Sequence, residues 1–136
     1  MIVVLSGMLA TPGNAAEPTT FTDTVTHVRD GDTIEVGEVP IRLNGVSAPE
    51  LDEPLGPDAK SFMHDLVMGL PVRCELSGQK TYDRFVGICY LRDKDIGASI
   101  IKAGLALDCP RYSGRRYIHH EQVIARKRIK LPKYCK

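Results

Sequence analysis

The 136-residue sequence predicts a mainly β member of the α+β class, a five-stranded Greek-key barrel of the OB type with about three helices. Two observations predict it. Five segments have the residue pattern of strands, and a helix-like segment follows the third of them, which is the order of a small OB barrel. With 43% hydrophobic residues the chain can bury one core, so we expect one domain over residues 17–136.

Two turns connect the first three predicted strands. Apolar and polar residues alternate from Phe21 to Val28, and a hairpin follows, with strands at Thr33–Val36 and Val39–Val46. Gly37-Glu38 reverses the chain between them. Because proline has no N–H to donate, Pro40 predicts an edge position or a bulge in the third strand.

A helix and two more strands come next. The helix is predicted from Asp58 to Met68, with Gly69 ending it as a C-terminal cap. Val72–Leu76 and Phe85–Leu91 are the predicted fourth and fifth strands. The helix carries an apolar stripe at helical spacing: Ala59, Phe62, Met63, Leu66 and Val67.

The C-terminal third predicts two further helices. Asp95 is a suitable N-cap for a short helix that ends at Gly104. A basic loop, Arg111–Arg116, precedes a predicted last helix from about Tyr117 to Lys130. Pro132 ends that helix because proline cannot continue it.

Residues 1–16 are uncharged, apolar at their start and rich in small residues at their end. This pattern is typical of the apolar and cleavage regions of a secretory signal, with processing near Ala15 or Ala16, although the usual basic start is missing. The alternative is a disordered N-terminus. The signal-like start predicts a secreted or periplasmic protein. No stretch of the mature chain is long and apolar enough to span a membrane, so we expect no membrane partner.

The four cysteines have no Cys-x-x-Cys spacing, which argues against a zinc site. Exported chains favour disulfides, and four cysteines allow three pairings. We prefer Cys74 with Cys89, because each lies in a strand-like run and the two runs could form a hairpin. Cys109 with Cys135 then follows. In an unexported protein the same residues would be buried free thiols.

The net charge of +1 hides an uneven distribution. Residues 111–136 hold nine Lys or Arg and one acid, whereas residues 1–110 hold nine Lys or Arg and sixteen acids. A basic C-terminal segment could attract a polyanion, and the acidic remainder could hold divalent cations. A solvated helix face is the alternative reading.

The segment from Arg29 to Glu50 holds the candidate chemistry. Asp30 and Asp32 flank Gly31 in a turn, and Arg42 lies on the returning strand. A carboxylate pair can hold a hard cation, and an arginine beside it can clamp a phosphate through two hydrogen bonds. The combination indicates phosphodiester chemistry; an ordinary Asp-Gly turn with a surface ion pair is the alternative.

Six ordered motifs resemble the staphylococcal nuclease (thermonuclease) family over residues 24 to 130. Several motifs in order are more specific than a single short one, and the resemblance implies the OB barrel as well. The motifs are Asp30-Gly31-Asp32-Thr33, Ile41-Arg42-Leu43, Ala48-Pro49-Glu50, Gly56-Pro57-Asp58-Ala59, Tyr82-Asp83-Arg84 and Ala103-Gly104-Leu105-Ala106.

By this resemblance, Arg42, Glu50 and Arg84 are the catalytic residues. The two arginines would bind the scissile phosphate, and Glu50 would act as general base on water or orient it. Arg84 matches if Asp83 replaces the glycine of the family's Tyr-Gly-Arg. A second alignment reads Asp83-Arg84 as an earlier Asp-Lys pair and leaves no catalytic arginine there. Tyr82 would pack against the nucleotide and Tyr112 would stack on a base, unless both are packed surface aromatics.

The resemblance also implies a Ca²⁺ ion. Asp32 would be its main ligand, Asp30 would lie further out, and the backbone carbonyl near Ala48 and the Ser47 hydroxyl would add oxygens. The best-known family member has Asp-Thr where this chain has Ser47-Ala48, so one charged ligand is lost. Weaker metal affinity or a different preferred ion would follow.

The function implied is hydrolysis of DNA and RNA with little sequence specificity, which leaves 3′-phosphate ends. The main alternative is a noncatalytic nucleic-acid-binding OB module that keeps the scaffold and has lost cleavage. An exported interaction domain is the third option. We expect a monomer whose partners are its DNA and RNA substrates.

Overall fold

The computed structural model describes residue 7 and residues 19–136. Apart from Gly7, the predicted signal segment at residues 1–16 and its processing site therefore lie outside the described residues. The strands of the described part are β1 Thr19–Asp30, β2 Thr33–Val36, β3 Val39–Leu43, β4 Val46–Ser47, β5 Pro71–Thr81, β6 Arg84–Leu91, β7 Lys94–Asp95 and β8 Leu107–Asp108. The helices are α1 Gly56–Val67, α2 Ile96–Lys102, α3 Pro110–Ser113 and α4 Val123–Arg128, with 3₁₀ turns at Ile118–His120 and Lys133–Cys135.

Five strands form a closed ring. They pair in the order β3-β2-β1-β5-β6, and a parallel pairing of β3 with β6 closes the ring. Pro40 pairs with Glu35 on β2, while the contact of β3 with β6 begins only at Ile41, so Pro40 has a strand neighbour on one side. The predicted fold class is confirmed, with about four helices in the described residues where about three were expected.

The core fills the ring and the space beneath α1 and α2. Alternate residues of β1 to β3 point into it, among them Val25, Ile34 and Ile41, each 0% exposed. The predicted stripe of α1 contributes Ala59, Met63 and Val67 as fully buried residues, with its other members packed at the margin. Burying a large aliphatic side chain is worth about 1.5–3 kcal/mol, so this stripe holds α1 against β1.

Two strands differ from their predicted bounds. The predicted third strand, Val39–Val46, is two strands, because the chain turns after Leu43 and β4 leaves the ring to pair with β8. The fourth strand reaches Thr81, five residues past the predicted Leu76. Beyond Leu76, Lys80 and Thr81 pair only with β6, after an irregularity in register. This extension becomes one wall of the cleft described below.

The predicted last helix, Tyr117–Lys130, is wrong as one continuous element. Its chain forms a 3₁₀ turn, then an extended pair of residues, then α4. The extended pair is Glu121 and Gln122, whose side chains bond to the backbone of Asp108 and Lys102. Those tertiary bonds replace helical ones. None of the helices in the described residues is long and apolar enough to cross a bilayer.

Both predicted disulfides are present. Cys74 pairs with Cys89 across β5 and β6, where the two residues are direct partners in register. Cys109 pairs with Cys135 and fixes the C-terminal 3₁₀ turn against the start of α3. All four are buried, and the described residues contain no free cysteine.

Candidate active site

An open cleft of about 750 Å³ lies beside the Asp30–Asp32 turn, and the projecting end of the β5–β6 hairpin forms one of its walls. It collects seven of the nine residues predicted for catalysis, metal or substrate: Asp30, Asp32, Arg42, Glu50, Tyr82, Arg84 and Tyr112. Ser47 and Ala48 do not line it; both are buried behind the turn. Residues far apart in the sequence therefore face one space.

Asp32 lies at the inner end of the cleft, 6% exposed. Its Oδ2 accepts a hydrogen bond from the Ala48 backbone N–H at 2.9 Å and lies 3.3 Å from Arg42 Nη2. Burial raises the pKa of Asp32, and the neighbouring Asp30 raises it further, while the Arg42 charge and the Ala48 N–H lower it. The turn can pack this closely because Gly31 has no side chain: a Cβ there would be 2.8 Å from Ala48 Cβ.

Arg42 reaches the cleft from β3. Its Nη1 donates to the Leu43 carbonyl oxygen at 2.7 Å, and its Nη2 faces Asp32. The side chain is only 14% exposed, so the guanidinium is held rather than free to rotate in solvent. A fixed guanidinium with unused N–H donors suits a phosphate oxygen.

Arg84 enters from the first residue of β6. Its Nη1 donates to Thr33 Oγ1 at 3.1 Å and its Nε to the Thr81 carbonyl oxygen at 3.4 Å. Its guanidinium also lies 5.7 Å from the centre of the Tyr82 ring. Sequence reasoning gave Thr33 no role of its own, because a threonine in a strand carries no signal that its hydroxyl orients an arginine 51 residues away.

Glu50 stands on the loop that leads to α1. Its backbone N–H donates to Glu53 Oε1 at 2.8 Å, and Gly56 packs on its carbonyl oxygen so closely that an added Cβ would collide with it. Partial burial raises the pKa of the Glu50 carboxyl, and Asp30 and Glu53 add to that rise, with Arg42 opposing it. Asp30 thus raises the pKa of both Glu50 and Asp32, and the three acidic side chains concentrate negative charge in the cleft.

Three tyrosines line the outer part of the cleft. Tyr82 is 93% exposed, and Tyr112 and Tyr134 are each 50% exposed. Tyr134 was missed, because its position depends on the Cys109–Cys135 disulfide that carries the C-terminus to the cleft. The available signal was the position of Tyr134 directly before Cys135, which was predicted to pair with Cys109, 26 residues earlier.

The fit of a metal ion depends on the donors present. Carboxylate oxygens are the ligands that Ca²⁺ prefers, and the cleft holds three acidic side chains, of which Asp30 repels both Asp32 and Glu50. Within residues 19–136, however, no three acidic, histidine or cysteine side chains are arranged closely enough to hold an ion. The donor chemistry thus suits a hard cation with several ligands from water, while the buried Ser47 contributes nothing to the cleft wall.

Comparison with known proteins adds an independent observation. Residues 40–129 match the family model described as staphylococcal nuclease homologue. The chain belongs to this family. The matched stretch includes Arg42, Glu50 and Arg84, whereas Asp30 and Asp32 precede it. The resemblance read from the sequence motifs is therefore confirmed, and the roles of individual site residues stay predictions.

The chain is also similar to named proteins of other organisms. It is 38% identical to the succinoglycan biosynthesis protein ExoI of Rhizobium meliloti over 77% of this chain and 60% of that protein. It is 29% identical to an uncharacterized endonuclease of Haemophilus influenzae (65% of this chain, 53% of that protein) and 34% identical to the probable endonuclease LCL3 of Phaeosphaeria nodorum (57% and 29%). The chain thus spans less than two thirds of the length of these relatives.

Proposed function

We propose that this protein is a nuclease, a metal-dependent phosphodiesterase that hydrolyses DNA and RNA with little sequence specificity. The observation that carries the proposal is the convergence of Arg42, Arg84 and Glu50 on one cleft that also holds Asp30 and Asp32. Membership of the staphylococcal nuclease homologue family and the word endonuclease in the names of two relatives support it.

The arginines supply charge where the reaction needs it. Hydrolysis of a phosphodiester builds negative charge on the phosphoryl oxygens, and donors already aimed at those oxygens stabilise the transition state. Arg42 and Arg84 approach the cleft from β3 and β6, neighbouring strands of the ring, so they can contact different oxygens of one phosphate. Their existing bonds to Leu43 and Thr33 hold both guanidinium groups in place before substrate arrives.

Glu50 acts on the attacking water. As general base it accepts a proton while the water oxygen bonds to phosphorus and the bond to the 5′ oxygen breaks. The departing 5′ oxygen takes up a proton from solvent water, which leaves a 3′-phosphate and a 5′-hydroxyl. The raised pKa of Glu50 brings its basicity closer to neutral pH, which favours proton transfer. The 3′-phosphate product follows from the family resemblance.

A calcium ion completes the proposed site. Asp32 would be the main protein ligand and Asp30 would lie in the outer sphere, with the backbone near Ala48 as a further oxygen source. When bound, the ion supplies positive charge beside the phosphate. Replacement of the usual Asp-Thr by Ser47-Ala48 leaves fewer charged ligands, so affinity for the ion is expected to be weak.

The proposed setting is an oxidising compartment, either the periplasm or the exterior of the cell. Two disulfides among the described residues support it, because such bonds persist outside the reducing cytosol. We propose that the protein acts there as a monomer.

Single-stranded DNA incubated with the protein and Ca²⁺ tests the function. We expect fragments with 3′-phosphate ends, no fragmentation in the presence of a chelator, and a loss of at least about a hundredfold in Glu50→Gln. Glu38→Gln is the matched control, because Glu38 is exposed at the β2–β3 turn and does not line the cleft. Intact DNA with every divalent metal tried, from a protein that is folded, would refute the proposal.

A noncatalytic nucleic-acid-binding module is the second candidate. The observation that favours it is that the Asp32 carboxylate already contacts Arg42 and accepts a hydrogen bond from the Ala48 N–H. In addition, no three potential metal-ligating side chains cluster in the described residues. The same incubation separates the two functions. A shifted but intact oligonucleotide in a gel would support the binder.

A further inference from the structure

The β5–β6 hairpin projects from the ring at the cleft. From Arg73 to Leu76, β5 is paired with β1 on one side and β6 on the other, but after an irregularity in register Lys80 and Thr81 pair with β6 alone. This projecting part supplies Gln79, Lys80, Thr81, Tyr82 and Arg84 to the cleft lining. Strand β3 supports β6 from Phe85 onwards, so Arg84 and the turn before it lie beyond that pairing. A two-stranded hairpin alone is only marginally stable, so this tip gains from another attachment.

An ion pair provides that attachment. Arg29 on β1 donates through Nη1 to Asp83 Oδ1 at 3.1 Å and through Nη2 to Asp83 Oδ2 at 2.8 Å, across 54 residues of sequence. Arg29 is itself held on its own sheet by Glu35, which accepts from its Nε at 3.4 Å. These hydrogen bonds keep the pKa of Asp83 below its usual value, so the pair is ionised at neutral pH.

The pair lies one residue from a candidate catalytic side chain. Asp83 directly precedes Arg84, and the residue before it, Tyr82, has the left-handed backbone angle φ of 57°. The tip is thus fixed to the β1–β2 region at two adjacent points, Asp83 to Arg29 and Arg84 to Thr33. Without the first, the Arg84 side chain would depend on its single hydrogen bonds to Thr33 and Thr81, at the end of β6 that lies beyond the pairing with β3.

We propose that Arg29 and Asp83 are positioning residues that fix Arg84 in the cleft through their two-pronged ion pair. This inference rests on the proposed nuclease function for its kinetic consequence. It gives a physical use to the aspartate that stands where the resemblance expects glycine. An exposed pair of this kind adds little to global stability, yet a displacement of about 1 Å at a reacting group can lower a rate by about a hundredfold.

The test compares Asp83→Asn with Asp93→Asn. Asp93 is a matched control, because it is also an exposed turn aspartate near an arginine, at the other end of β6, and does not line the cleft. In single-turnover hydrolysis of a short single-stranded oligonucleotide, we expect Asp83→Asn to lower the rate of the chemical step at least about tenfold. Asp93→Asn should change it less than about twofold, and Asp83→Glu should recover part of the loss.

A double variant shows whether the effect passes through Arg84. In an Arg84→Ala background, Asp83→Asn should lower the rate less than about twofold, because the group that it positions is gone. An equal loss in both backgrounds would overturn the proposal, as would an unchanged rate in Asp83→Asn alone. The melting temperature should fall by less than about 3 °C in either asparagine variant.

A structural measurement keeps this test separate from the test of function. The NMR signal of the Arg84 Nε–H should shift in Asp83→Asn and stay in place in Asp93→Asn, whether or not the protein cleaves DNA. If the wild type hydrolyses nothing but this signal moves as expected, the nuclease proposal fails and the positioning role of the pair stands. If the signal does not move, the positioning role fails.

Discussion

Replacing Arg42 tests the proposed phosphate clamp most directly. Of the five N–H donors of a guanidinium, one is bonded to the Leu43 carbonyl oxygen and one faces Asp32, so three remain for a phosphate. The side chain is 14% exposed, and a transition-state contact made there is little weakened by water. Removing one such donor typically costs about 3 kcal/mol, so we expect Arg42→Ala to lose at least about a hundredfold in kcat.

The same substitution also affects folding. Arg42→Ala leaves the buried Asp32 carboxyl without its positive partner, and breaking a buried ion pair costs about 3–5 kcal/mol. We expect the lower end of that range, because Asp32, whose pKa burial already raises, can take up a proton. Urea unfolding therefore accompanies the kinetics, which are measured well below the unfolding midpoint.

Arg42→Lys separates charge from shape. Lysine keeps the positive charge beside Asp32 but loses the planar fork, so we expect most of the stability and at least a tenfold loss in kcat. Arg92→Lys is the control, since Arg92 lies in the β6–β7 turn and does not line the cleft. A loss of tenfold or less in Arg42→Ala, with the fold intact, would refute the clamp.

Three other results are expected. Tyr117→Phe should lower the free energy of unfolding by about 1–1.5 kcal/mol in urea titrations, because the buried hydroxyl donates at 2.7 Å to Asp95, the N-cap of α2; an unchanged midpoint would contradict that role. Replacing Cys109 and Cys135 together by serine should cost about 3.5 kcal/mol, the chain-entropy value for a 26-residue loop, with the oxidised wild type as reference. Tyr134→Ala should weaken binding of a single-stranded oligonucleotide about fivefold or more by fluorescence anisotropy, since stacking on a base is worth about 1–3 kcal/mol, while Tyr134→Phe should bind as the wild type does.

Local signals explain the elements that were predicted correctly. The β2–β3 hairpin follows from alternation around Gly37, which has a positive φ in the structure. The Asp95 side chain caps α2 by accepting the Gly97 and Ala98 N–H groups, as its position in the sequence predicted. Both features involve residues within a few positions of one another, so neighbouring side chains and backbone preferences are enough to fix them.

By itself, the sequence determined the ring of strands, the buried stripe of α1, both disulfides and the family. It also named seven residues that prove to share one cleft. Tertiary structure alone decided the break between the Ile118–His120 turn and α4, the burial of Ser47 away from the cleft, and the position of Tyr134 at the cleft. The reason is distance along the chain: contacts such as that of Arg29 with Asp83 join residues 54 positions apart, and no periodicity or turn signal connects residues so far separated.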